Sequence, residues 1–238
     1  MKNKLHRADS RGLADHGWLL SHHTFSFADY HDPQRMNFGL LRVLNDDIVN
    51  PSMGFPTHPH ENMEIVSIPL SGSLRHKDSM GNKHVITTGE VQIMSAGTGL
   101  THSEYNNSDE DDVNFLQIWV YPKEKNIAPR YGQKLFNTAD RLNRFQTVVS
   151  PEKSSKSIWI NQAVYFSMAE VDAETTVRYQ KHRAANGLYF FVIEGQVEID
   201  SQTLNKRDGF GMAQEGDVQI SALNKALLLC IEVPLSNG

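Results

Sequence analysis

Ten of the eleven histidines lie at or before His102, and only His182 lies beyond it. Within that N-terminal excess the sharpest feature is His58-Pro59-His60. On a strand, residues i and i+2 project from one face about 6.5–7 Å apart, so the two imidazoles can converge on one ion. Pro59 has no amide hydrogen, which predicts a sheet edge or a strand entry for this segment. Further on, after the glycine-rich turn Ala96-Gly97-Thr98-Gly99, comes His102-Ser103-Glu104, again two donors at i and i+2. The chain between the two pairs is long enough for three or four strands, so an antiparallel barrel can return the second pair beside the first.

A lone His-x-His is commonly surface or core decoration; two paired motifs at this spacing point instead to a metal. Three imidazoles and one carboxylate form a nitrogen-rich set that suits Fe(II), Ni(II), Co(II), Mn(II), Cu(II) or Zn(II). The spacing does not select among them; one divalent transition metal is expected, Fe(II) before the others. Cys230 is the only cysteine, so thiolate clusters and intrachain disulfides are excluded by counting. Four protein donors leave two positions of a six-coordinate ion for a chelating substrate, dioxygen or water, and one carboxylate leaves a net positive centre that attracts an enolate or phenolate. Glu64 is a rival for Glu104: in an unbroken strand it shares a face with His58 and His60, and spacing leaves the two carboxylates equally credible. A helical H-E-x-x-H site is absent, and the β-branched run ending at Pro69 disfavours a helix there.

The elements that must position these donors read as strands. In the first half the runs 39–44, 63–70, 74–79, 83–87, 90–95 and 113–121 are rich in strand formers, and in the second half 146–150, 157–160, 164–171, 175–180, 188–193, 196–199, 217–221 and 226–233. Gly72, Gly81-Asn82 and Gly89 supply the turn chemistry between hairpin strands. The class is mainly β. Two stretches echo each other: 65–74 resembles 188–197 with Gly72 on Gly195, and 89–93 resembles 216–220 with Gly89 on Gly216. This predicts two tandem barrels, 1–130 and 131–238, joined near 128–133. On the first alignment Lys181, Arg183 and Gly187 replace His58, His60 and Glu64; on the second Leu229 and Ile231 replace His102 and Glu104. His182 is one residue out of register, so the C-terminal barrel is expected to lack metal ligands.

With 238 residues, 23 Lys+Arg against 28 Asp+Glu and a net charge of −5, the chain can bury a full core and lacks the basic surface that supplies affinity for phosphate backbones. Direct nucleic-acid and anionic-membrane partners are disfavoured. The N-terminus has no apolar signal region and no stretch is apolar enough for a membrane span, so a cytoplasmic location is expected. Adjacent His22 and His23 point to opposite faces of a strand and read as structural. Phe25 and Phe27 share a face and read as core, with a pocket wall as the alternative. Residues 109–112 read as a solvated acidic loop, and Arg178, Lys181 and Arg183 as surface.

Gly54-Phe55-Pro56-Thr57-His58-Pro59-His60 with Glu64 and Gly72, and Gly89 through Gly97-Thr98-Gly99-Leu100-Thr101-His102 with Asn106, resemble the two motifs of a cupin; Gly54 stands closer to His58 than the general pattern has it. Together with His16-Gly17-Trp18 and His23-Thr24-Phe25-Ser26-Phe27, they resemble the pirin family of bicupins, most closely its bacterial members reported as quercetin 2,3-dioxygenases. The resemblance implies two cupin (double-stranded β-helix, jelly-roll) barrels and metal ligands His58, His60, His102 and Glu104, with Glu64 set aside. It implies a dioxygenase taking a flavonol-like substrate and O2, opening the ring and releasing carbon monoxide, with Glu104 as the catalytic acceptor of the 3-hydroxyl proton. The alternative it carries is a non-catalytic metal-binding regulator with a transcriptional or metabolic protein partner. A monomer is expected.

Overall fold

The computed structural model describes residues 3–213 and 216–236. Its first strands are β1 (Lys4–His6), β2 (Gly12–Asp15), β3 (Leu19–His23), β4 (Leu41–Val49), β5 (Gly54–His60), β6 (Glu64–Ser71), β7 (Ser73–Asp78), β8 (Lys83–Thr87), β9 (Glu90–Ser95), β10 (Leu100–Asn106), β11 (Val113–Val120) and β12 (Arg130–Leu135). The second half adds β13 (Gln146–Ser150), β14 (Ile158–Trp159), β15 (Tyr165–Val171), β16 (Thr176–Tyr179), β17 (Asn186–Glu194), β18 (Gln196–Ile199), β19 (Gln202–Asn205), β20 (Gly209–Met212), β21 (Val218–Ala222) and β22 (Ala226–Pro234). No described helix is long and apolar enough to cross a membrane.

Each half closes a seven-stranded sheet over a four-stranded one. The first barrel uses β12-β9-β6-β11-β4-β3-β2 and β5-β10-β7-β8; the second uses β1-β20-β17-β22-β15-β13-β14 and β16-β21-β18-β19. The orders β5-β10-β7-β8 and β16-β21-β18-β19 are the same arrangement twice, so the duplication read from sequence is present in the fold. Gly72 and Gly195 hold the matching turn with φ of 73° and 86°, a region that glycine enters without steric cost. A Cβ at either position would press on the start of the next long strand, Val113 or Ala226.

Period-2 alternation sorts the side chains. Val66, Ile68, Leu116 and Ile118 from one large sheet meet Phe166, Tyr189, Phe191, Leu229 and Ile231 from the other in a continuous apolar layer between the barrels. The opposite faces line the two interiors. That of the second barrel is filled by apolar groups such as Val177, Leu188, Phe190, Ile220 and Leu228. That of the first carries apolar clusters around Phe115 and around Ile65, together with buried Ser67, Gln92, Glu104 and His76.

Three expectations are corrected. The boundary at 130/131 falls at the start of β12, which is a strand of the first barrel paired with β9, and β1 crosses over to pair with β20 of the second. Each exchanged strand covers a sheet edge that would otherwise leave backbone groups unpaired. The match of Gly89 to Gly216 is out of register, because Gly216 leads into β21, the counterpart of β10 and not of β9. Leu229 and Ile231 lie on the counterpart of β11 and face the layer between barrels; the buried residues on the counterpart of β10 are Val218, Ile220 and Ala222. Phe25 and Phe27 also part company: Phe25 is buried in that layer, whereas Phe27 packs edge-on against Trp119 at 5.2 Å.

Candidate metal centre

β5 is an edge strand of the small sheet, and it carries Pro56 and Pro59, which donate no ladder bonds. Its exposed edge gives His58 and His60 partial access to solvent, while the neighbouring strand β10 turns His102 and Glu104 inward, each 1% exposed. His102 pairs directly with His58, but Glu104 pairs with Phe55. The extra β5 residue is a bulge, a device that re-aims side chains beside sites.

The three imidazoles converge. Ring centroids are 4.8 Å apart for His58–His60, 4.5 Å for His58–His102 and 4.9 Å for His60–His102, and one ligand atom from each lies within 4.8 Å of the others. His58 donates Nδ1–H to the Pro56 carbonyl at 2.8 Å, which leaves Nε2 as the free donor, a usual arrangement for a ligating histidine. Burial, with His102 and His58 nearby, lowers the His60 pKa to about 4, and burial, with His58 and His76 nearby, lowers that of His102 to about 3. Both rings are therefore neutral and able to donate lone pairs. Both nitrogens of His102 are buried with no hydrogen-bond partner. Buried polar groups are nearly always satisfied, and a divalent ion among three converging imidazoles is what this donor set fits.

Glu104 stands in an overlapping triad with His76 and His102, again within 4.8 Å. Its Oε1 accepts from Ser67 Oγ at 3.1 Å and its Oε2 from Gln117 Nε2 at 2.8 Å, so both oxygens are oriented by side chains of the facing sheet. His76 was not singled out by sequence reasoning. Its signal is parity: in β7 the residues Leu74, His76 and Asp78 are buried while Arg75 and Lys77 are exposed, which turns a histidine inward.

Glu64 joins neither triad. The chain leaves β5 at His60 and enters the other sheet at Glu64, so the unbroken strand that would align them does not exist. Glu64 accepts instead from Ser95 Oγ at 2.8 Å and Asn161 N at 3.2 Å, and burial pushes its pKa up to about 7. A shallow cleft of about 570 Å³ lined by Pro59, His60, Ser79, Gly99 and Leu100 opens beside His60. Trp119 packs edge-on against His60 at 5.0 Å and forms, with Phe27, an apolar wall beside it.

In the second barrel a buried carboxylate is held by hydrogen bonds within the protein. Glu232 accepts from the backbone N–H groups of His182 and Arg183, at 2.8 and 2.7 Å, and from Tyr179 Oη at 3.1 Å. The ring of His182 stacks on Tyr165 at 3.9 Å.

Residues 5–120 match the Pirin family model, and residues 147–233 match the model described as Quercetinase C-terminal cupin domain. The chain is 41% identical to quercetin 2,3-dioxygenase of Escherichia coli K12 over 97% of its own length and 98% of that protein. It is 40% identical to a pirin-like protein of Caulobacter vibrioides, over 94% and 96%. The crystal structure of bacterial pirin YhhW from Escherichia coli in complex with nickel(II) superposes with a TM-score of 0.92 at 39% identity, covering 98% of this chain and 99% of that one. The paired barrels, the histidine cluster at the mouth of the first, and this likeness along nearly the whole length place the chain in the pirin family.

Proposed function

We propose that this chain is a metal-dependent dioxygenase that opens a flavonol ring with O2 and releases carbon monoxide, and that His58, His60, His102 and Glu104 hold its one divalent ion. The observation that carries the reading is His102, buried with two unpartnered ring nitrogens beside two further imidazoles. Relatives named quercetin 2,3-dioxygenase along the full chain support the substrate class. We take Fe(II) as the resident ion, because it combines affinity for nitrogen and oxygen donors with reactivity toward O2; nickel(II), present in the relative's crystal structure, fits the same donors.

When bound, the ion supplies Lewis acidity that makes the flavonol 3-hydroxyl easier to deprotonate. The protein does the rest. Glu104 accepts the hydroxyl proton, and the donors Ser67 and Gln117 hold its two oxygens in place while it does so. The same carboxylate would hold the ion and take the proton, so the two roles compete for its oxygens. The wall of Trp119 and Phe27 beside His60 offers an apolar face to a planar substrate and keeps bulk water from the electron-rich ring. We read the enzyme as a cytoplasmic monomer.

Aerobic incubation of the metal-loaded protein with quercetin should bleach the flavonol absorbance and release carbon monoxide in equal amount, and His102→Ala should do neither. Flavonol left intact after long incubation with Fe(II), Ni(II), Co(II) and Mn(II) forms in turn would overturn the proposal.

A further inference from the structure

A cleft of about 970 Å³ lies away from the histidine cluster, between the barrels, walled by β12 on one side and by residues 153–161 of the second half on the other. Three cations line it, Arg130, Lys134 and Lys153, and among the described residues none of them forms an ion pair with a carboxylate, although the chain as a whole carries −5. Unpaired like charges gathered in a concave surface repel one another and concentrate anions.

The cluster is built and not loose. Arg130 projects from β12 and donates Nη1–H to the Trp159 carbonyl at 2.8 Å, with its guanidinium 4.7 Å from the indole centroid. Lys153 places its ammonium 5.4 Å from the same ring, so one side chain gathers two positive charges by cation–π attraction. Lys134 reaches across the cleft to donate to the Ser155 carbonyl. Gly132 keeps the floor low: a Cβ there would stand 3.1 Å from Ile158 Cγ2. Arg130 uses one nitrogen in that bond, leaving Nη2 and Nε for a ligand. The acids nearby offset the cluster only in part: Glu124 is an exposed rim residue, and Glu64, behind Asn161, has its pKa raised to about 7 by burial, so that it carries a partial charge toward Arg130 at neutral pH. Ser154, Ser157, Gln133 and Asn161 add neutral polar groups to the lining.

We propose that this inter-barrel cleft is a second ligand site, for a small multivalent anion bearing phosphate or carboxylate groups, gripped by Arg130, Lys134 and Lys153. The site does not depend on the dioxygenase reading, because none of its residues touches the histidine cluster.

The test is titration of the full-length metal-loaded protein with inorganic phosphate and, separately, with benzene-1,3,5-tricarboxylate, read by calorimetry and by Trp159 fluorescence in a Trp18→Phe/Trp119→Phe background, with sodium chloride as the ionic-strength control. At least one anion should bind saturably at one site per chain and alter Trp159 emission, and the stronger of the two identifies the ligand chemistry. Lys134→Gln/Lys153→Gln, a pair at the cleft rim that leaves β12 pairing intact, should weaken binding at least tenfold, and Arg130→Gln should do the same where its thermal unfolding matches wild type. His58→Ala should leave it unchanged. Binding no different from sodium chloride for both anions, or equal affinity in the double lysine variant, would overturn the assignment.

Discussion

Glu104 and His76 face each other directly across adjacent strands, and both side chains are buried. Residues opposed in this way project from one face of the sheet with Cβ atoms about 4.5–5.5 Å apart. His76 Nε2 donates to Asp78 Oδ2 at 3.2 Å, and its Nδ1 has no partner. The proposed ligand Glu104 therefore has as its cross-strand neighbour an imidazole oriented from behind by a carboxylate.

His76→Leu removes that imidazole at similar volume. Asp78 keeps its bonds from Asn82 Nδ2 at 2.8 Å and from the backbone of Met80 and Asn82, so the fold is expected to survive. Residues behind a metal ligand typically cost 10–100-fold in affinity or activity when removed, and a loss of that size in quercetin turnover is expected, with one equivalent of metal retained by elemental analysis. Turnover equal to wild type would remove His76 from the working centre.

Gln117→Leu deletes the donor to Glu104 Oε2. A buried carboxylate oxygen left without its donor costs about 1–3 kcal/mol, and the variant should unfold at correspondingly lower denaturant concentration in its metal-free form. Part of that loss should return on adding metal, because the ion stabilises the same carboxylate. Chemical denaturation with and without Ni(II) measures both terms.

The low pKa values of His60, about 4, and His102, about 3, set a pH dependence with a definite sign. A free imidazole titrates near 6.5, so between about 4 and 6.5 the unfolded chain binds more protons than the native one and stability rises with pH. The gain is lost as pH falls toward the native values. In the metal-free protein, His60→Leu/His102→Leu should flatten this rise relative to wild type, and the difference between the two denaturation profiles isolates it from other buried histidines. Metal retention should hold down to about pH 5 and fail near 4.

Glu64 has the opposite sign in a neighbouring window. Its pKa is raised from 4.5 to about 7 by burial, so between those values the native state binds more protons than the unfolded one and stability falls as pH rises, by at most about 1.4 kcal/mol per pH unit for one group. Glu64→Gln keeps an acceptor for Ser95 and Asn161 and should remove this decline. Wild-type and variant stabilities compared between pH 5 and 7 check it, and parallel profiles would show that Glu64 keeps its charge on folding.

The order of residues determined a good deal by itself. Lys83–Thr87, Glu90–Ser95, Gln146–Ser150 and Gln196–Ile199 are strands with the bounds the sequence suggests, because alternation, β-branching and flanking glycines act within a few residues. For the same reason His58 with His60, and His102 with Glu104, were bound to share a face wherever their strands ran. Short segments such as Lys4–His6 and Arg130–Leu135 carry too little local pattern to announce which edge they cover, and each joins a sheet through hydrogen bonds to a distant strand. Tertiary structure alone decided the rest: that the turn after His60 sends Glu64 to a different sheet, that His76 pairs with Glu104, and that Gly216 leads into the counterpart of β10. Those outcomes depend on register between strands far apart in the chain, and a shift of one residue in register would turn each of these side chains to the opposite face.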